Sequence, residues 1–188
     1  MTHAIMETRI VHDGWGRMMV ATIRLPDGQV IRREIEDHGK AVAVLPYDPV
    51  RKVALLVSQF RPPVFLVNEQ EELLEIIAGG LEDESPEDGV RREAMEEGGL
   101  ALKALEPIAD LWTMPGISTE RMALFLASYS ESDRVGEGGG LADEHEGITI
   151  VELPLRELAD MADSGRLVDM KTFLLVQTLR LKQPQLFT

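Results

Sequence analysis

A layered α/β or α+β domain is what this sequence predicts, on three observations. β-rich apolar runs lie on both sides of one well-signalled central helix, amphipathic segments close the chain, and no repeat or low-complexity stretch interrupts them. With 188 residues, 44% hydrophobic and 28% charged, the chain can bury a sizeable core in one domain with an appended segment.

The elements follow in order. Arg17 to Arg24 is rich in Met, Val and Ile, Pro26-Asp27-Gly28 is a turn, and Gln29 to Glu36 returns, which makes a hairpin. Ala41 to Leu45 and Lys52 to Phe60 form a second strand pair across Tyr47-Asp48-Pro49, and Leu73 to Ile77 is a short apolar strand. The central helix starts at Ser85, whose hydroxyl caps it ahead of Pro86, Glu87 and Asp88, and it stops at Gly98-Gly99. Ala104 to Leu111, Arg121 to Tyr129 and Ile148 to Leu153 read as strands, and Gly136 to Gly140 as a mobile loop. Two helices end the chain, Leu155 to Ala162 and about Asp169 to Leu181, the second carrying apolar Phe173, Leu174, Val176 and Leu179 before Pro184.

Charge excludes several functions. Thirty-three acidic residues against nineteen basic ones leave a net −14, which argues against nucleic acid or an anionic membrane as a bulk partner. Apolar runs such as Ala41 to Pro46 fall well short of the ~18 residues a membrane span needs, and Met1-Thr2-His3-Ala4 does not open a signal peptide, so a cytoplasmic protein is expected. Without cysteine there is no disulfide framework, thiolate metal site or cysteine nucleophile.

The acidic charge is concentrated. Twelve carboxylates and only Arg91 and Arg92 lie between Glu69 and Gly99. Within the helix, Glu93, Glu96 and Glu97 stand at i, i+3 and i+4 and share an arc of about 100°. Like charges at that spacing repel, so helix stability does not account for them. Oxygen-only ligands suit a hard dication, Mg²⁺ first and Mn²⁺ second. The alternative is a solvated face in which Arg92 pairs with Glu96.

The surrounding residues favour the first reading. Ala78-Gly79-Gly80, Glu84 and Arg92-Glu93-Ala94-Met95-Glu96-Glu97-Gly98-Gly99-Leu100 resemble the Nudix box. Its second half matches throughout, with seven residues between Glu84 and Arg92, whereas four residues rather than the usual five separate Gly79 from Glu84. Beyond the box, Val57-Ser58-Gln59-Phe60-Arg61, Met114-Pro115-Gly116 with Glu120, Gly140 to Glu146 and Asp169-Met170-Lys171-Thr172 are similar to segments of the ADP-ribose and GDP-mannose branch of that family. Ser58 and Thr113-Met114 depart from the branch at positions that bear on substrate contacts.

The resemblance implies a Nudix fold, an α/β mixed-sheet α/β/α sandwich, at residues 40–188, with an N-terminal antiparallel β segment at residues 1–39 that supports a homodimer. It implies metal binding by the Ala78 carbonyl, Glu93, Glu96, Glu97 and Glu146, with Glu144 as general base and Glu97 as the alternative. Arg61 would hold a phosphate oxygen, with an exposed ion pair as its other reading, and Glu120 a base or ribose, with a plain surface carboxylate as the alternative. Trp15, one of nine aromatic residues, is a candidate for stacking on a purine or for packing in an interface. The implied activity is Mg²⁺-dependent hydrolysis of a nucleoside-diphosphate sugar, ADP-ribose to AMP and ribose 5-phosphate ahead of GDP-mannose. A non-catalytic nucleotide-binding module is the other class.

Overall fold

The computed structural model describes residues 2–141 and 147–188. The chain divides into two compact units, Met1–Ala41 with Asp110–Met122, and Val42–Ala109 with Ala123–Thr188.

The first unit holds an antiparallel sheet of β1 (Ala4–Asp13), β2 (Arg17–Arg24) and β3 (Val30–Asp37), in that order. The expected turn between β2 and β3 is present: Gly28 sits at φ 88°, and the Leu25 N–H reaches the Gln29 carbonyl at 2.8 Å. The first strand lies within the N-terminal β segment that the resemblance implies but carries no pattern of its own, because its apolar residues do not alternate and almost all of it is exposed. Asp110–Met122 joins this unit through backbone bonds no local pattern announces: Glu36 N–H to the Ile117 carbonyl at 2.8 Å, and Thr119 N–H to the Glu36 carbonyl at 2.9 Å. The Thr119 hydroxyl adds a bond to Asp37 at 2.7 Å.

The larger unit is built on a seven-stranded mixed sheet. Its strands are β4 (Lys40–Asp48), β5 (Val53–Gln59), β6 (Leu73–Glu75), β7 (Ile77–Leu81), β8 (Glu106–Trp112), β9 (Arg121–Ser128) and β10 (Thr149–Pro154). They run in the order β10-β5-β4-β9-β8, with β6 added to β5 and β7 to β4. Burial on both faces makes the sandwich. Val42, Val44, Leu55 and Val57 enter one core with Ile77 and Phe125, while the alternate residues Ala43, Leu45, Ala54 and Leu56 are equally buried on the opposite side.

Helix α2 (Pro86–Gly98) has the expected ends: the Ser85 hydroxyl accepts the Asp88 N–H, and Gly99 closes it in the left-handed region. Short helix α1 (Pro62–Asn68), which the sequence reading does not contain, buries no side chain. Helix α3 (Leu155–Asp163) buries Leu155, Leu158, Ala159 and Ala162, an i, i+3, i+4, i+7 stripe. Helix α4 (Met170–Lys182) is capped by Asp169 and turns Thr172, Leu175, Val176 and Leu179 inward; Phe173, expected in its apolar set, is 40% exposed. Gly136 to Gly140 is a loop, as expected, and its amides bond to the end of α2. Gly139 and Gly140 N–H groups bond the Glu97 and Glu96 carbonyls at 2.8 and 3.0 Å, satisfying orphan acceptors at the end of α2.

One ion-pair network joins distant parts of the larger unit. The Glu152 carboxylate on β10 accepts from Arg51 Nη1 at 2.6 Å, from the Tyr129 hydroxyl at 2.8 Å and from Arg134. Arg51 also binds the buried Asp48 at 2.7 Å. Burial pushes the Glu152 carboxyl up, but bonds from Tyr129, Arg51 and Arg134 outweigh it and hold the group below its ordinary value of 4.5. A depressed carboxyl contributes stability that is complete above the unfolded value and disappears as the pH falls through the folded one. Glu152→Gln is expected to lower the melting temperature at pH 7 by about 4–8 °C, from about 2 kcal/mol of lost charge-assisted bonding. Melting curves from pH 7 to pH 3 check it: the gap from wild type should close below pH 4.5, and a gap independent of pH would refute the assignment.

Candidate active site

The site is organised by the face of α2 that meets the sheet. Gly89, Val90, Glu93, Ala94, Glu97 and Gly98 form one buried stripe, so two carboxylates share a stripe with core residues. Glu93 and Glu97 are 8% and 3% exposed. Glycines allow the approach: a Cβ on Gly98 would stand 2.7 Å from Ile77 Cδ1, and one on Gly79 would stand 2.0 Å from Glu93 Oε1. Strand β7 therefore passes directly against the Glu93 carboxylate. The Ala78 N–H on the same strand donates to Glu97 Oε2 at 3.2 Å.

Arg92 supplies the counter-charge. Its guanidinium spans four oxygens: Glu84 Oε1 from Nη2 at 2.9 Å, Glu93 Oε1 and Glu96 Oε2 from Nη1 at 2.8 and 3.0 Å, and the Gly80 carbonyl at 2.9 Å. Burial disfavours its charge, but the bond to Glu84 and the charge of Glu93 prevail and raise its pKa. The loop that is one residue short still delivers Glu84 to this arginine. The Arg92–Glu96 pair does exist, yet it belongs to a partly buried cluster and not to a solvated face.

Arg61, at the end of β5, does not stand alone. Nε and Nη2 bind the two oxygens of Glu75 at 2.6 and 3.2 Å, and the Glu97 and Asp169 charges also act on it. Glu75 is 2% exposed and is bound from the other side by Lys171. Burial pushes the Glu75 carboxyl up, whereas Arg61 and Lys171 together draw it below the ordinary carboxylate value. Neither Glu75 nor Lys171 is among the site residues expected from the sequence; the signal for Glu75 is a lone charge within Leu73-Leu74-Glu75-Ile76-Ile77, and that for Lys171 is its place in the Asp169 to Thr172 segment.

The structure thus brings Arg61, Ala78, Glu93, Glu96 and Glu97 into the larger unit. Trp15 and Glu120 belong to the first unit. Trp15 is 93% exposed, with its ring 4.9 Å from that of His38. The Glu120 N–H donates to the Ser118 hydroxyl at 3.1 Å. Glu144 and Glu146 lie outside the described residues. Among the described residues no three acidic or imidazole side chains enclose an ion-sized space. The donor chemistry is nonetheless of the kind a hard dication takes: all its atoms are oxygens, and two of the carboxylates are withdrawn from water.

Comparison with known proteins agrees with this architecture. A model of the NUDIX domain matches residues 37–172. The GDP-mannose pyrophosphatase of Pectobacterium atrosepticum is 39% identical over 178 residues, 92% of this chain and 91% of its own. That of Cronobacter sakazakii is 40% identical over 159 residues, 83% and 82% of the two chains. The crystal structure of an ADP compounds hydrolase superposes with a TM-score of 0.72 over 97% of each chain at 18% identity, which shows the shared fold. The matched domain spans most of the chain and contains the carboxylate helix with its arginine, and the chain belongs to the Nudix family.

Proposed function

We propose that this protein hydrolyses the diphosphate bond of a nucleoside-diphosphate sugar, with GDP-mannose ahead of ADP-ribose. The observation that carries the reading is the pair of sheet-facing carboxylates, Glu93 and Glu97, held against β7 beside the Arg61 guanidinium's field. Relatives named GDP-mannose pyrophosphatase support mannose as the first sugar, reversing the order the sequence alone suggests. Glu93, Glu96, Glu97, Glu146 and the Ala78 carbonyl would hold Mg²⁺ or Mn²⁺. When bound, such ions supply charge neutralisation for the diphosphate and lower the pKa of an attacking water.

The chain's own residues do the rest. Arg61 takes a phosphate oxygen through charge-assisted hydrogen bonds. Arg92 keeps Glu84, Glu93 and Glu96 in one place, so that the carboxylates are preorganised before substrate arrives. Glu144 accepts the proton of the attacking water. Trp15 offers a stacking face for the purine and Glu120 an acceptor for base or ribose. The products are a nucleoside monophosphate and a sugar phosphate. A homodimer formed through the N-terminal strands belongs to the same reading, supported by the exposed Ile5, Met6, Ile10 and Val11 of β1. No helix among the described residues is long and apolar enough to cross a membrane.

The central test incubates purified protein with GDP-mannose, ADP-ribose and other nucleoside-diphosphate sugars, with and without chelator, and identifies the products. Turnover is expected only without chelator, and Mg²⁺ at about a hundredfold excess over its Kd should raise the melting temperature by about 5–10 °C. Absence of both turnover and thermal shift would sink the proposal. Glu97→Gln should lower kcat at least about a hundredfold while circular dichroism stays native; wild-type turnover would remove Glu97 from the site. For the base, Glu144→Gln should slow hydrolysis far more than the neighbouring control Asp143→Asn, and equal losses would move the role to Glu97.

A further inference from the structure

The Asp169-Met170-Lys171-Thr172 segment and Glu75 form a closed hydrogen-bonded net. Asp169 accepts the Thr172 N–H at 3.0 Å, and the Thr172 hydroxyl accepts the N–H of Ile76, next to Glu75, at 2.8 Å. Lys171 bonds both Glu75 and Asp169, the latter at 3.1 Å. Thr172 is fully buried and Glu75 nearly so, while the Arg61 side chain at the edge of the net is 39% exposed. The first turn of α4 thereby holds the β6–β7 junction, the junction holds Glu75, and Glu75 holds Arg61 by Nε and Nη2. The remaining nitrogen, Nη1, makes no hydrogen bond among the described residues.

A carboxylate this deeply buried is costly, and two cations on one anion are a poor device for stability alone, since apolar residues of similar volume often do as well. A planar guanidinium gripped along one edge, by contrast, loses its rotational freedom and presents its remaining donor in one orientation. We propose that Glu75 is a positioning residue: braced by the Asp169–Thr172 turn, it locks the Arg61 fork so that Nη1 receives an oxygen of a diphosphate. This rests on the reading of Arg61 as a phosphate ligand.

The sign of the effect separates positioning from simple electrostatics. Removing a negative charge near an anion site would by itself tighten anion binding; loss of positioning weakens it. The experiment is a double-mutant cycle of Glu75→Gln and Arg61→Ala, read by KM and kcat for the nucleoside-diphosphate sugar that wild type hydrolyses and by calorimetric titration with inorganic pyrophosphate. Glu75→Gln should raise KM and the pyrophosphate Kd by about tenfold or more with kcat within about threefold, and Glu75→Asp should fall between it and wild type. In the Arg61→Ala background Glu75→Gln should add less than about twofold. Effects that multiply independently, tighter pyrophosphate binding by Glu75→Gln, or no pyrophosphate binding by wild type would overturn the proposal. If Glu75→Gln does not fold, Glu75→Asp decides, and wild-type KM and Kd in that variant reject it. If wild type hydrolyses no nucleotide sugar, the functional reading fails, and the pyrophosphate cycle still judges Glu75.

Discussion

Two carboxylates on the sheet-facing stripe of a helix are the constraint around which the rest of the larger unit is arranged. Glu93 and Glu97 occupy positions where the pattern of Val90 and Ala94 calls for apolar residues. Burying two anions there is expensive unless something is gained from their withdrawal from water. The surroundings meet the requirement with three devices: a guanidinium shared among neighbouring carboxylates, a backbone N–H from β7, and a glycine at position 79 that removes the side chain with which the Glu93 carboxylate would collide.

The same logic explains why the arginines are not interchangeable with lysines. Arg92 reaches oxygens on the helix, on the preceding loop and on the strand at once, which only a planar fork with several donors can do. Arg61 likewise engages one carboxylate along an edge. Both turn clusters of like charge into fixed arrays with a defined shape, and shape distinguishes a binding site from a merely acidic surface.

Much of the fold was legible because its signals are local. Ser85, Pro86 and Gly99 mark the ends of α2, and the apolar runs of β4 and β5 identify the buried strands. Glu93, Glu96 and Glu97 could be grouped from helical spacing alone. What the sequence does not signal depends on contacts between residues far apart in the chain. Strand β1 is held by pairing with β2 and not by its own pattern, and Asp110–Met122 is recruited by Glu36 and Asp37. Periodicity places Phe173 inward, but Asp169 sets where α4 begins and Thr172 anchors its first turn, leaving the phenyl ring half exposed. The Glu75 pairings span 14 residues to Arg61 and 96 to Lys171, distances over which spacing carries no information.

The glycine run after η1 (Glu131–Asp133) has a consequence for how this chain tolerates change. Its amides terminate α2, and a methyl group on Gly99 or Gly138 would strike the opposing backbone, at 2.3 Å from the Gly136 carbonyl in one case and 2.6 Å from that of Glu97 in the other. Most surface connections accept extra residues freely. This one behaves as a dovetail joint, so that lengthening it by a single residue would shift where the chain departs from the helix, and evolution or engineering aimed at the following segment must begin beyond Gly140.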